Sequence, residues 1–486
     1  MYRVVYHVMD INEIKQRLEL ALRPVEKPPT IEEVLEQVST HGVLRGPVDW
    51  AFPGWMLYVE YAAERIAEMF QLSEGEKRWL FHFRDAIKRL LLEAQRQAEA
   101  KLTSIYKAVV ESTYKIEGNR LYAPDGVWMY AEVFTPRILI RGVSASARFP
   151  DLLKLPRERL ELLQLGWRAS DESNNNGRPV MGTTQPWQVF AWATVRCGEI
   201  YIQINSVNLT REGVSVTVHL KANSWRQKRS KAEAVDLVIS HLRSGERAPL
   251  LTMWLGDGKA RWRRIGREVA ISTKEPQRLG RTLGEYEAIV AKGREAFVRL
   301  MEAAGTYGAL LELLKAHKWI YVKKAVAKKR SIDLLKEAYG GNTATAPEGE
   351  EFRIGDVIIM NVPMRLELVN GNGGSLVAQY FTRDLEKALA IAGRLESAGL
   401  RPNVVRSNSK YMVYIGTADL AKLAERNETL RKAVAKYLAE KAKNGTPRQR
   451  ELAEKILKRR PIFSPSFSEK NSSIAGPGFE PGTSGL

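Results

Sequence analysis

Apolar residues in the first segment of the chain recur at the spacing of a helix. Tyr61, Ala62, Ile66 and Met69 mark one helix between Tyr58 and Phe70. Ser73 and Glu76 form a capping-box pattern that opens the next, which runs through Trp79, Phe83, Ile87, Leu90 and Leu91 toward Val110. The aromatic stripe reads as core packing, and the polar face with Arg84, Lys88, Arg89 and Arg96 as a solvated surface. Residues 1–115 are therefore expected to form a helical N-terminal module docked on the rest of the chain.

From residue 116 the texture changes. Gly118, Pro124, Gly126, Pro136 and Pro150 punctuate short apolar runs. Ser170 to Arg178 reads as a polar loop, and Trp187 to Val195 as a strand. Gly198 turns the chain into two further strands with period-two alternation. In Glu199 to Asn205, Ile200, Ile202 and Ile204 face one way and Tyr201, Gln203 and Asn205 the other. In Val214 to Leu220 the valines oppose Ser215, Thr217, His219 and Lys221. Such a polar face is either a plain solvated sheet surface or, with its amides, hydroxyls and lysine, a surface for base edges and phosphates.

Asn223 is expected to open a basic helix running to Leu242, and Pro249 sits in the first turn of a short helix over 249–258. Lys259 to Thr273 reads as two short strands carrying Lys259, Arg261 and Arg263. Thr282 and Glu285 cap a helix running to Ala304, and Lys315 to Arg330 is a second basic stretch. After a loop at 340–349, strands are expected at Met364 to Val369, Ser375 to Phe381 and Tyr411 to Ile415. Helices are expected at Asp384 to Ala398, Thr417 to Lys443 and Pro447 to Arg459. The fold class is α+β: the helical module, a strand-rich unit over 116–340, a second over 341–460, and a disordered Ser/Gly/Pro-rich tail over 461–486.

Charge sharpens this picture. The chain has 486 residues, enough for two or three domains, and 44% are hydrophobic, a normal globular share. Lys and Arg number 75 against 56 Asp and Glu, a net charge of +19. A surface of that sign attracts polyanions, so nucleic acid is the expected partner, with Arg196, Gln203, Asn205, Thr217, His219, Lys221, Lys259, Arg261 and Arg263 as candidate contacts. The single cysteine, Cys197, excludes an internal disulfide, and six scattered histidines give no metal-ligand spacing. The N-terminus lacks the apolar core of a signal peptide and no apolar run reaches membrane-spanning length, which points to the cytoplasm and to no membrane partner. P-loop, dinucleotide and nucleophile-elbow motifs are absent.

One stretch can carry chemistry. Residues 249–259 read PLLTMWLGDGK. Thr252 and Gly256 share one helix face and are small enough to let a partner helix approach closely. Asp257 falls at the helix C-terminus, where the macrodipole disfavours a carboxylate by about 0.3–1 kcal/mol unless a cation offsets it. The competing reading is an ordinary turn after a helix, since Asp-Gly is a common turn dipeptide.

This stretch resembles the LAGLIDADG motif of homing endonucleases, in which Thr252 and Gly256 take the small packing positions and Asp257 the final aspartate. The resemblance implies a helix, two strands, a helix and two strands in each half, sheets forming a saddle over DNA, and two motif helices packed side by side. It further implies Mg2+ held by Asp257 and a matching acid, with phosphodiester hydrolysis as the reaction and a lysine near the metal, for which Lys323 and Lys324 are candidates. Leu255 stands where the family has its first aspartate. Only one clear copy of the motif is present; the nearest second, 333–341, lacks the aspartate. A homodimer, a pseudo-symmetric monomer and a catalytically inactive binding protein all remain open. From about 115 to 460 the chain is also similar to the archaeal PaRep-type repeat proteins. The final stretch, Gly476 to Leu486, resembles a translated transfer-RNA T-arm, which suggests a mobile element inserted beside a tRNA gene. The expectation is thus a DNA-binding protein of a mobile element, either a metal-dependent endonuclease or an inactive descendant.

Overall fold

Four helices begin the chain, and their ends are written in the sequence. In the computed structural model, which describes residues 9–134, 136–283, 285–327, 353–370 and 374–464, these are α1 (Ile11–Leu22), α2 (Ile31–His41), α3 (Val48–Met69) and α4 (Glu74–Val110). Thr30 with Glu33 and Ser73 with Glu76 form complete capping boxes at the starts of α2 and α4. Five short strands come next: β1 (Lys115–Glu117), β2 (Arg120–Tyr122), β3 (Trp128–Tyr130), β4 (Arg137–Leu139) and β5 (Ser144–Phe149).

The next stretch runs helix, two strands, helix, two strands, helix. It comprises α5 (Arg157–Ala169), β6 (Glu172–Asn175), β7 (Arg178–Thr183), α6 (Pro186–Val195), β8 (Gly198–Thr210), β9 (Gly213–Ala222) and α7 (Lys231–Arg243). Then come α8 (Ala248–Asp257), β10 (Glu268–Ser272), α9 (Pro276–Leu279), β11 (Arg281–Thr282), β12 (Glu287–Lys292), α10 (Arg294–Leu313) and α11 (His317–Ala327).

Strands β1 to β9 make one antiparallel sheet in the order β1-β2-β3-β4-β8-β9-β7-β6, with β5 also on β8. Its apolar face, including Leu121, Ile138, Ile202, Val216 and Leu220, is buried in one core with α3 and α4 residues such as Trp55 and Phe83. This core belongs to a compact unit spanning Met1–Lys328. Phe83, Phe149 and Phe190 meet edge to face at its centre.

The second unit, Lys329–Leu486, has its own core. Strands β13 (Asp356–Ile359), β14 (Val362–Val369), β15 (Ser375–Thr382), β16 (Asn403–Ser407) and β17 (Lys410–Ile415) pair antiparallel in the order β13-β14-β15-β17-β16. Helices α12 (Leu385–Ser397), α13 (Thr417–Arg426), α14 (Glu428–Asn444) and α15 (Pro447–Arg459) complete it.

Mixed helix and sheet is as expected from the sequence, but several segments differ from their expectation. Trp187 to Val195 is helix α6, not a strand; every residue from Pro186 to Val195 is buried, and a helix buried on all sides has no polar face to betray its period. Ser170 to Arg178 is no loop but the helix end and a hairpin, closed by Asn176 and Gly177 at φ 51° and 74°, the left-handed pair that a tight turn requires. The basic helix starts at Lys231, because Ser230 and Glu233 form its capping box, and Asn223 to Arg229 precede it as turn and loop. Glu287–Lys292 is a strand on β10 rather than helix, so Thr282 and Glu285 cap nothing and α10 starts at Arg294. Lys259 to Thr273 contains one strand, β10, after a 3-10 turn at Trp262–Arg264.

Candidate active site

Helices α5 and α8 pack flank to flank, and small residues make this possible. A side chain on Gly166 would overlap the Pro249 carbonyl and the Thr252 hydroxyl; one on Gly256 would overlap Ser170. Thr252 and Gly256 thus meet Gly166 and Ser170 of α5. Both helices run out at an aspartate, Asp171 just past the end of α5 and Asp257 as the last residue of α8, and the two carboxyls are close enough for Asp171 to raise Asp257.

The surroundings of the pair are built from four elements. Gln188, on α6 and fully buried, donates to Asp171 Oδ2 at 3.2 Å and to the Leu255 carbonyl at 3.4 Å. Its own carbonyl oxygen accepts from the Thr183 hydroxyl at 2.5 Å, which fixes the amide. Lys231, at the start of α7, brings Nζ to 3.8 Å from Asp257 Oδ2. Lys318, on α11, is buried and donates to the Gly256 carbonyl. It therefore sets a cation on the C-terminal end of α8, where the helix dipole is negative.

Electrostatics mark these groups out. Burial and the neighbouring Asp171 charge push the Asp257 carboxyl up to about 6, against the pull of Lys231 and Lys318. Burial draws Lys318 down to about 8, against the two aspartates that favour its charge. Next to it, burial and the Lys318 charge hold His317 down at about 3, so that imidazole is neutral at physiological pH. Acids and amines displaced toward neutrality in one place are a frequent property of reaction centres.

The other candidates lie elsewhere. Lys323 is exposed and ion-paired with Glu312 at 2.8 Å, and Lys324 sits over the Trp262 ring. The lysines at Asp257 are Lys231 and Lys318 instead, because the register of α11 turns His317, Lys318 and Tyr321 inward and Lys323 and Lys324 outward. Arg196 is not a surface contact: it is 3% exposed and forked onto buried Glu172 at 2.8 and 2.9 Å. Lys259 and Arg261 are both paired with Glu287, while Arg263 is exposed. The second-motif candidate over 333–341, the expected loop at 340–349 and residues 465–486 of the expected tail lie outside the described residues, whereas the start of that tail, Pro461–Phe463, is a short 3-10 turn that buries Phe463 in the second core rather than a disordered stretch.

Gln203, Thr217, His219 and Lys221 do share the polar face of β8 and β9. Gln203 pairs across from His219, and Lys221 lies 5.1 Å from the Tyr201 ring. Burial beside Gly182 lowers His219, which keeps it neutral. Asn205 drops out of the pairing at a bulge between Ile204 and Ser206. The same face continues across β4, β3 and β2, where Arg137 pairs with Asn208, Tyr130 with Arg137, and Arg120 with Tyr130. Arg120 lies 4.4 Å from the Trp128 ring centre and Arg137 4.5 Å from that of Tyr130.

Cys197 is half-buried, with its thiol pushed up to about 11 by burial. Among the described residues no cluster of three or more His, Cys, Asp or Glu side chains forms a metal cage, and no helix is long and apolar enough to cross a membrane. No family model, curated protein or solved structure matches the chain significantly.

Proposed function

We propose that this chain is a DNA-binding protein of LAGLIDADG descent, with Asp171 and Asp257 as the acid pair of a magnesium-dependent phosphodiesterase. The observation that carries the reading is the meeting of two helices through small residues, each ending in an aspartate, so that the two carboxyls fall within each other's field. Helix, two strands, helix, two strands is also the element order between α5 and α7. Both acids come from one chain, so the reading needs no second copy to complete the pair.

The donor set suits Mg2+, which takes one or two carboxylates and fills its remaining positions with water and substrate phosphate. Burial and the neighbouring Asp171 charge raise the Asp257 carboxyl, and a divalent cation held between the two acids would offset that repulsion. Asp171 and Asp257 would hold the ion, which when bound supplies an activated water and neutralises the leaving oxygen. Gln188 orients Asp171 through its 3.2 Å bond. Lys231 reaches the pair from the solvent-exposed start of α7 and would offer its ammonium to the scissile phosphate. The polar face of β8 and β9, extended by Arg137 and Arg120, would take the DNA backbone and base edges.

A second reading has its own support. Lys231 and Lys318 already match the two carboxylates in number, as in a nuclease retired to binding. Cleavage and gel-shift assays on a randomised duplex library, with and without Mg2+, separate the two. The endonuclease reading expects Mg2+-dependent nicking by wild type, none by Asp171→Asn or Asp257→Asn, and salt-sensitive binding by all three. Binding by all three with no cutting favours the retired nuclease. Absence of salt-sensitive binding sinks both.

A further inference from the structure

A cavity of about 720 Å3 opens between α5, the end of α6 and the loop ahead of α7. Six cations line it: Arg157, Arg168, Arg196, Arg226, Lys228 and Arg229. Its floor is built rather than incidental. Arg168 and Arg196 are 8% and 3% exposed. Arg168 is pinned by the carbonyls of Arg229 and Glu172, both at 2.9 Å, and Arg196 by the Glu172 carboxylate. That carboxylate is itself held by Trp192 at 3.0 Å and Gln227 at 2.7 Å. At the rim Arg157 pairs with Glu161 at 3.0 Å. Arg226, Lys228 and Arg229 are exposed and have no carboxylate at ion-pair distance among the described residues.

Positive charge is therefore in excess. Glu161 and Glu172 offset two of the six cations and Glu233, acting on Arg168 and Arg229 from the start of α7, at most a third, and the carbonyls that hold Arg168 fix its position without cancelling its charge. Like charges gathered over a partly desolvated floor repel one another, and a bound anion relieves that repulsion. Guanidinium forks match phosphate oxygens two at a time. The volume is that of a small-molecule site, more than a lone phosphate fills. Trp225 lines the same space, its indole fixed by an N–H bond of 2.8 Å to the Cys197 carbonyl. An immobilised aromatic beside arginines is what stacks on a nucleobase.

We propose that this cavity binds a nucleotide, with its phosphates on the arginines and its base on Trp225. The ligand is either a free nucleoside polyphosphate or the phosphorylated terminal nucleotide of a strand. This inference is independent of the acid pair and of whether it cuts.

Calorimetric titration of the full chain at moderate salt tests it with ATP, inorganic triphosphate, adenosine, and one short oligonucleotide with and without a 5′-phosphate. ATP is expected to bind at one site, triphosphate about 10-fold more weakly for want of stacking, and adenosine not detectably. The exposed pair Arg226→Ala/Lys228→Ala is expected to weaken ATP at least ~10-fold. The equally charged control Arg406→Ala/Lys410→Ala, in the other unit, should leave it unchanged. Trp225→Leu should abolish the advantage of ATP over triphosphate. Phosphorylated oligonucleotide bound in place of ATP identifies a strand end as the source. Equal losses from both alanine pairs, adenosine binding as well as ATP, or no binding of any phosphorylated probe would overturn the proposal.

Discussion

Asp171 and Asp257 end two helices packed together at Gly166 and Gly256, and their carboxyls stand within each other's field although each belongs to a different stretch of the chain. Burial disfavours the charged form and two neighbouring acids cannot both ionise cheaply, so the Asp257 carboxyl rises to about 6. A carboxyl whose proton is held more tightly in the folded state gives stability that is complete below its unfolded value near 4. That stability is lost as pH rises through about 6. Asp257→Asn, which keeps the shape and removes the charge, should therefore stabilise the fold at pH 7 by about 1–2 kcal/mol. The gain should shrink toward zero by pH 4. Urea unfolding of both proteins at pH 4, 5.5 and 7 reads this directly, and a difference that does not vary with pH would rule out the raised carboxyl.

The helix contact predicts an order of damage. At Gly166 an added methyl meets the Pro249 backbone carbonyl, which cannot move without moving α8, whereas at Gly256 it meets the Ser170 side chain. Gly166→Ala should cost about 2–3 kcal/mol and Gly256→Ala distinctly less. Thermal melts of the two variants check the ranking, and equal losses would mean that the helices slide apart as freely at one end as at the other.

Arg196 and Glu172 make a third test. Their ion pair is almost wholly buried and Glu172 accepts from Trp192 and Gln227 as well. Arg196→Met leaves that carboxylate without its cation and should cost about 3–5 kcal/mol, whereas Arg196→Met/Glu172→Gln should recover a large part of the loss. Denaturant midpoints of the single and double variants measure this. Failure of the double variant to recover would assign the cost to lost packing of the arginine stem.

The sequence makes some of this legible and conceals the rest for physical reasons. Capping boxes and clean alternation announce themselves locally, so α4, β8, β9 and α15 fall where their patterns say. Helix α8 and its small-residue face are likewise readable from Thr252, Gly256 and Asp257. Its partner is not. Gly166, Ser170 and Asp171 repeat the spacing of Thr252, Gly256 and Asp257, but Asp171 opens the polar run that continues through Asn176, Gly177 and Arg178, which looks like a loop until the Asn176–Gly177 turn closes it into a hairpin. Lys318 is hidden differently. It sits among seven basic residues between Lys315 and Arg330, and only the packing of α11 distinguishes the one lysine turned toward the acids. The cavity over Arg168 and Arg196 joins residues from three separate stretches and has no local signature at all.

The order of these elements along the chain has a further consequence, one concerning synthesis. A protein leaves the ribosome N-terminus first, so Asp171 emerges before Lys231, Lys231 before Asp257, and Lys318 last of the four. Helices α5 and α8 can thus find each other while α11 is still being made, and the two acids then stand together without the cation that caps α8. A ribosome paused between α8 and α11 holds a half-neutralised pair, open to any positive ion in the surrounding fluid. The finished domain adds to that nascent one the strands β10 to β12 and the helices α9 to α11, and with them the buried Lys318 ammonium group at the end of α8.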